Sequence, residues 1–237
     1  MIYTEACIAV VVALVVQLVS IDVLAKDYST PSIPYPEGHF TDQVDSERLE
    51  AARLRNRVAI PVAGKVKSRL CDGCHGDSGN STDPQIPKLA GQYGNYIIKQ
   101  VRNYQLGNRS HIIMSAMAAT ISDDDLFDAA AYYSSQKKMN GGGISDNPAG
   151  KDLFSNSAIS NMGLACVNCH GEGGNGLEPE ISAFPVIGGQ HKDYILQQLV
   201  DFRDGKRTNS PNNIMNRITG SLTDAQLESL AEYVSGQ

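Results

Sequence analysis

The sequence predicts an all-α protein made of two tandem helical domains. Three observations lead to this prediction: a segment that occurs twice, a cysteine–histidine motif in each copy, and apolar residues at helical spacing. The 237 residues suffice for two units of about 100 residues each.

The repeat is clearest between residues 88–109 and 186–207, which align at an offset of 98. Residues 121–136 align with 222–237 at an offset of 101, whereas the cysteine pairs lie 95 residues apart. Two three-residue insertions in the second copy explain why the offset increases along the chain from 95 to 101. The chain is therefore a tandem duplication.

Helical patterns recur at equivalent places in the two copies. Short helices are predicted at 63–70 and 148–155, ahead of the cysteine pairs. "GNYIIKQVRNYQLG" predicts a longer helix that terminates at Gly107, and its partner terminates at an equivalent glycine. Ser122 and Thr223 begin sequences like capping boxes, which predict the start of the last helix of each copy.

The predicted organisation has five parts. They are an export segment (1–25), an N-terminal extension (26–61), the first copy (62–138), a linker (139–147) and the second copy (148–237). The extension has no counterpart in the second copy; it comprises a Pro-rich piece followed by a charged helical stretch.

The export segment is a nearly unbroken apolar run at 6–21, followed by Val23 and Ala25 at the positions that signal peptidase reads. Cleavage after Ala25 is predicted. A retained membrane anchor is the alternative, because Glu5 and the lack of Lys or Arg before the run are atypical of a signal peptide. Both interpretations place the body of the protein in the periplasm, either soluble or tethered to the inner membrane by its N-terminus.

The charge of the chain excludes one class of partner. A formal net charge of −6 and a pI near 5.3 argue against nucleic acid, because binding to its backbone requires clustered Lys and Arg.

Beyond the export segment, cysteines occur only as two pairs, each followed at once by a histidine. The first motif is Cys71-Asp72-Gly73-Cys74-His75 and the second is Cys166-Val167-Asn168-Cys169-His170. A zinc ribbon would need its pairs about 15–20 residues apart, and a thioredoxin-like dithiol would need a βαβ context. Disulfides within each pair would leave the histidines unexplained. The motif of c-type haem attachment accounts for all six residues, so two covalently bound haem c groups with their iron are predicted.

The repeat also selects candidates for the second axial ligand of each iron. Met215 aligns with Met114 at the local offset of 101, and a thioether in that position is typical of electron-transfer haems. Met117 and Met139 lack methionine counterparts and are predicted to be packing residues. His111 would give bis-histidine ligation, but its counterpart is an asparagine.

Four further residues are candidates for supporting the haems. Pro87 and Pro185 follow the motifs at equivalent loop positions, where a rigid proline could present a carbonyl to the other nitrogen of the histidine. Arg109 and Arg207 are equivalent cations that pair with haem propionates or are solvated.

These features resemble the dihaem class I cytochromes c, and specifically the cytochrome c4 family. The resemblance rests on the paired "CxxCHG" motifs, "IPKLAGQ" and "FPVIGGQHKDY", and it covers roughly residues 62–237. It implies two cytochrome c domains related by a pseudo-twofold axis, with ligand pairs His75/Met114 and His170/Met215. It also implies an exported electron carrier that delivers electrons toward a haem–copper terminal oxidase.

Two functions follow as the main alternatives. The first is a non-enzymatic carrier between respiratory-chain components, because two six-coordinate haems leave no vacant site for a substrate, and no catalytic residue is predicted. The second is the electron-accepting cytochrome subunit of a periplasmic dehydrogenase, such as a flavoprotein sulfide dehydrogenase. The expected partners are therefore redox protein donors and acceptors: a terminal oxidase, a cytochrome complex or a dehydrogenase. A haem enzyme would instead require an open coordination position.

Overall fold

A computed structural model of the chain describes residues 61–141, 147–156, 163–177 and 183–237. These residues form helices joined by loops and contain no strand, which confirms the predicted all-α class. The export segment and almost all of the N-terminal extension lie outside the described residues. Among the helices that are described, none is long and apolar enough to cross a membrane.

The helices follow the same order in both copies. In the first copy they are α1 (Pro61–Lys67), α2 (Arg69–His75), α3 (Gly94–Gln105), α4 (Ile112–Ala118) and α5 (Asp123–Ser134). The described part of the second copy contains α6 (Pro148–Ser155), α7 (Val167–His170), α8 (Lys192–Arg203), α9 (Ile214–Thr219) and α10 (Asp224–Ser235). The short helix predicted at 63–70 is interrupted at Ser68, where α1 ends and the motif helix α2 begins.

The last helix of each copy starts where its capping sequence predicts. The Ser122 hydroxyl accepts a hydrogen bond from the backbone N–H of Asp125 at 3.2 Å. The Thr223 hydroxyl accepts one from the N–H of Gln226 at 3.3 Å, and the Gln226 side chain accepts one from the N–H of Thr223 at 2.9 Å. This second bond completes a capping box at Thr223, because Gln226 is the glutamine that the motif requires three residues after the cap.

The first and last helices of each copy cross at a glycine. α1 packs on α5 and α6 packs on α10. A Cβ added at Gly64 would overlap the Asp128 carbonyl, and one added at Gly150 would overlap the Ser229 carbonyl. Both glycines lie in an Ala-Gly-Lys sequence, which is the signal in the chain that marks this crossing.

Replacing Gly150 with alanine is expected to lower the free energy of unfolding of the haem-loaded protein by about 2–3 kcal/mol. The new methyl would meet backbone and would lie 2.7 Å from Tyr233 Cβ, so the gain in helix propensity, up to about 1 kcal/mol, is outweighed. Denaturant unfolding measures the change. Gly94→Ala is the matched control, because its nearest neighbours would lie at an ordinary 3.6 Å; a loss as large at Gly94 would contradict the steric explanation.

Each copy has its own small apolar cluster. The first contains Ile97, Ile98, Leu126, Phe127, Ala130, Tyr132 and Tyr133, and the second contains Phe154, Ile195, Leu222, Leu227, Leu230, Ala231, Tyr233 and Val234. Cys71 packs against the first cluster and Cys166 against the second. The cysteine motifs therefore lie at the edge of the core in each copy, where an attached group can complete it.

A third cluster joins the two copies and consists of Tyr93, Met139 and Val186. Met139 is 4% exposed, and its backbone N–H donates to the carbonyl of Ala90 at 3.2 Å. The first residue of the predicted linker is thus packed between the copies, while 142–146 lie outside the described residues. Met139 is therefore a packing residue between the copies, as predicted from its lack of a methionine counterpart.

Candidate functional site

Cys71 and Cys74 lie on α2, whereas Cys169 lies on α7 and Cys166 is the residue that precedes and caps that helix. None of these four cysteines forms a disulfide. Spacing of three residues places the two sulfurs of a pair on the same side of the motif helix, one turn apart. Burial raises the pKa of Cys166 to about 11 and also raises the pKa values of Cys71 and Cys169. Redox-active dithiols have lowered pKa values, so this environment disfavours the thioredoxin-like interpretation.

The motif histidines are buried and oriented by a carbonyl. His75 is 6% exposed and its Nδ1 donates to the Pro87 carbonyl at 2.8 Å. His170 is 7% exposed and its Nδ1 donates to the Pro185 carbonyl at 2.9 Å. Each bond uses Nδ1 and leaves Nε2 for a metal, which is the usual arrangement of a ligating histidine.

The protonation state of these imidazoles also suits a metal ligand. Burial lowers the pKa of both His75 and His170, and the hydrogen bond to the proline carbonyl opposes that shift. Neutral imidazole is the form that binds a metal through nitrogen.

The two candidate methionines lie at the start of equivalent short helices and are half-buried. The N–H of Met114 on α4 donates to His111 Nδ1 at 3.3 Å, and the N–H of Met215 on α9 donates to the Ser210 hydroxyl at 3.2 Å. His111 is exposed and caps α4, so its Nδ1 is engaged by the backbone.

Side chains and backbone hold both methionine helices against the preceding long helix. The Gln105 amide at the end of α3 donates to the Ala118 carbonyl of α4 at 2.9 Å. In the second copy, the Asn216 amide of α9 donates to the Phe202 carbonyl of α8 at 2.6 Å and to the Arg207 carbonyl at 2.7 Å. Both methionines are therefore presented by anchored segments.

An apolar cavity lies beside the second motif. Its lining residues are Leu153, Asn156, Leu164, Cys166, Ile218, Leu222 and Leu230. Cys166 belongs to the motif, and Ile218 lies on α9, the helix that carries Met215. The cavity thus brings a motif thiol, an apolar wall and the methionine helix together on one side of the second copy.

The two candidate arginines are joined in one network between the copies. Arg109 donates to Gln100 at 2.8 Å, to Gln198 at 2.7 Å and to the Tyr194 hydroxyl at 3.1 Å. Arg207 donates to the same two glutamines, at 3.1 Å and 2.8 Å, and to the hydroxyl of Tyr96, the counterpart of Tyr194, at 3.1 Å. Each arginine therefore binds glutamines of both copies and a tyrosine of the other copy.

This network contains two positive charges with neutral hydrogen-bond partners. Arg207 is 7% exposed, so the expectation that it is solvated is wrong for this residue. Within the described parts of the chain, no carboxylate lies within ion-pair distance of Arg109 or Arg207. Buried charges are normally paired, so the site fits a ligand that brings its own carboxylates, as the propionates of haem do.

Two equivalent helical units, each with a CxxCH motif beside its apolar cluster, define the class as a dihaem c-type cytochrome. The family model for cytochrome c matches residues 148–237. Cytochrome c4 from Pseudomonas aeruginosa is 39% identical over 186 residues, covering 77% of this chain and 91% of that protein. The chain belongs to the cytochrome c4 family.

The chain is also similar to a solved structure of a cytochrome c4 and to the electron acceptor of a thiosulfate dehydrogenase. The crystal structure of reduced recombinant cytochrome c4 from Pseudomonas stutzeri superimposes with a TM-score of 0.69 at 37% identity, covering 76% of this chain and 99% of that one. The thiosulfate dehydrogenase electron acceptor of Stutzerimonas stutzeri is 31% identical, covering 69% of this chain and 76% of that protein. This chain is a dihaem electron-transfer cytochrome with two covalently bound haem c groups.

Proposed function

We propose that this chain is a periplasmic electron shuttle that accepts electrons from a respiratory-chain donor and passes them toward a terminal oxidase. The observation that carries the proposal is the equivalence of the two sites. In each, a buried neutral imidazole bonds a proline carbonyl through Nδ1, and an anchored half-buried methionine stands at the aligned position. Two such sites suit one-electron transfer in two steps.

We assign the ligands residue by residue. Cys71 and Cys74 anchor the first haem, and Cys166 and Cys169 anchor the second. His75 and His170 are the proximal ligands of the two irons. Met114 and Met215 are the distal ligands of the same two irons.

The side chains then have distinct roles in electron transfer. Haem supplies a one-electron iron couple when it is bound. The Nδ1 bonds of His75 and His170 fix the imidazole rings and raise their basicity. Met114 and Met215 would each supply a second protein ligand to an iron and so keep external ligands out. Arg109 and Arg207 would balance the negative charges of the haem propionates, which makes it easier to keep these two cations away from water.

The domain boundaries belong to the same proposal. Residues 62–138 and 148–237 form the two haem domains, and 139–147 link them. Residues 1–25 export the chain and are either removed or retained as a tether, and 26–61 separate the first domain from that segment.

A spectroscopic redox titration of the purified protein tests the shuttle. The expected result is two one-electron steps at high potential, low-spin spectra in both oxidation states, and a methionine-to-iron charge-transfer band that accounts for both haems. Rapid binding of CO or cyanide at one haem would contradict the assignment, because a six-coordinate iron has no free position.

The electron-accepting subunit of a periplasmic dehydrogenase is the second candidate. The observation in its favour is the likeness to a protein named as a thiosulfate dehydrogenase electron acceptor. Stopped-flow reduction of the oxidised protein by a purified thiosulfate or sulfide dehydrogenase, compared with its oxidation by a terminal oxidase, separates the two. Fast reduction by the dehydrogenase and stable co-purification with it would favour the subunit role.

Replacing Asp72 with asparagine is expected to raise the potential of the first haem by about 20–60 mV. Asp72 lies between the two cysteines of the first motif, where the second motif has Val167. A partly screened charge contributes on the order of 1 kcal/mol, and about 59 mV corresponds to a tenfold change. The asparagine oxygen still accepts from the Tyr133 hydroxyl, which bonds Asp72 at 2.8 Å. Potentiometric titration measures the shift, and the reciprocal Val167→Asp should lower the potential of the second haem; an unchanged first haem would contradict the electrostatic account.

A further inference from the structure

Two buried glutamines exchange hydrogen bonds with backbone of the opposite copy. The Gln92 side chain donates to the Val186 carbonyl at 2.7 Å and accepts from the Val186 N–H at 3.0 Å. At the equivalent position, Gln190 donates to the Lys88 carbonyl and accepts from the Lys88 N–H, both at 2.9 Å. Both glutamines are 5% exposed, so water does not compete freely for these bonds.

The peptide groups that these glutamines bond also hold the motif histidines. The N–H of Val186 and the carbonyl of Pro185 belong to one peptide group, and that carbonyl accepts from His170 Nδ1 at 2.9 Å. In the first copy the N–H of Lys88 and the carbonyl of Pro87 form the corresponding group. Its carbonyl accepts from His75 Nδ1 at 2.8 Å. A single peptide group therefore connects each histidine with a glutamine of the other copy.

Hydrogen bonds at the two ends of one peptide group strengthen each other. An acceptor on the N–H polarises the amide and makes its carbonyl oxygen a better acceptor, by about 10–30% per bond. A stronger bond from histidine Nδ1 to that oxygen makes the imidazole a more basic ligand. A more basic ligand favours oxidised over reduced iron, so the glutamine should lower the potential of the haem held by the other copy.

We propose that Gln92 and Gln190 are positioning residues that act crosswise: Gln92 lowers the reduction potential of the second haem, and Gln190 lowers that of the first. The proposal rests on the histidine ligation in the proposed function. It adds a specific route by which each domain tunes the other, through one side chain and one peptide group.

The test uses Gln92→Met in the full-length, haem-loaded protein. Methionine fills similar space but accepts no strong hydrogen bond from the Val186 N–H. The equilibrium constant for reducing the second haem should rise about threefold, equivalent to about 28 mV at 59 mV per tenfold change, while the first haem is unchanged. The NMR resonance of His170 Nδ1–H should move upfield as its bond weakens. Gln190→Met should give the mirror result, at the first haem and at His75.

Two further variants keep the test decisive. Gln92→Asn retains a polar amide but is one methylene too short, so it should shift the second haem in the same direction even if Gln92→Met loads haem poorly. Tyr93→Phe removes another hydrogen bond between the copies, the 2.8 Å bond from the Tyr93 hydroxyl to the Leu177 carbonyl, and should leave both potentials unchanged.

The outcomes separate this proposal from the proposed function. If the unmodified protein lacks two low-spin histidine–methionine haems, the proposed function fails. If it has them, but the glutamine variants shift the haem of their own copy, shift both haems equally or shift neither, the crosswise tuning is overturned and the ligand assignment stands.

Discussion

Replacing Met215 with alanine is expected to abolish the methionine-to-iron band of the second haem and to lower its potential by more than about 100 mV. A methionine thioether raises the potential of a haem, and axial ligands together span about 0.8 V. Because α9 is held to α8 by Asn216, the loss of one side chain should leave the rest of the site in place. Near-infrared absorption, redox titration and CO binding to the reduced protein measure the three consequences. Met114→Ala should have the same effects on the first haem.

Other methionines provide the controls for this experiment. Met117→Ala and Met139→Leu should keep both bands, since Met139 lies in the cluster between the copies with Tyr93 and Val186. Loss of a band in Met117→Ala with retention in Met114→Ala would show that the alignment selected the wrong ligand. Retention of low-spin ligation without a methionine band in the unmodified protein would point to His111 at the first haem.

Replacing Arg207 with methionine is expected to lower the free energy of unfolding by roughly 3 kcal/mol and to lower the haem potentials. The first effect follows because charge-assisted hydrogen bonds contribute about 1.5–3 kcal/mol each and buried partners left unpaired add to the loss. Arg109 remains to bond Gln100 and Gln198, which limits the cost. The second effect follows from the proposed pairing with a haem propionate, because the loss of that positive charge would stabilise the oxidised iron. Denaturant unfolding and potentiometry measure the two quantities separately.

Lys206→Met is the matched control, one residue away in the chain. It removes the same charge from a side chain that is 66% exposed, so it should change the unfolding free energy by no more than about 0.5 kcal/mol. Equal losses in the two variants would mean that the network of Arg207 contributes nothing beyond its charge. Unchanged potentials in Arg207→Met would contradict the pairing of this arginine with a propionate.

The sequence alone was sufficient to predict the features that depend on a few neighbouring residues. The motif at Cys71–His75 specifies its own short helix, and the hydroxyls of Ser122 and Thr223 mark the helix starts that the structure contains. Turn and cap preferences act over a few residues, so they can be read directly from the chain. The helical spacing of apolar residues and the paired motifs are also visible in the chain, so the all-α class and the relation to cytochromes c4 could be predicted as well.

The contacts between the copies could not be predicted in this way. Aligning Arg109 with Arg207 shows that they are equivalent, but not that each donates to a tyrosine on the other copy. The same holds for Gln92 and Gln190, which the alignment marks as identical without indicating a partner. Packing between residues about 100 positions apart depends on how whole domains dock. The helix crossing at Gly64 does have a local sign in the sequence, the repeated Ala-Gly-Lys. That repeat indicates a close contact only once the helix that packs on it is known.

The paired contacts between the copies follow the rule of an isologous interface. Gln92 meets Val186 and Gln190 meets Lys88, so each contact has a mirror with the partners exchanged. This is the pattern by which two identical chains associate about a twofold axis. The two copies in this one polypeptide are therefore arranged like the two subunits of a homodimer. Covalent linkage makes the association independent of concentration and lets each subunit change its sequence separately, as at Asp72 and Val167.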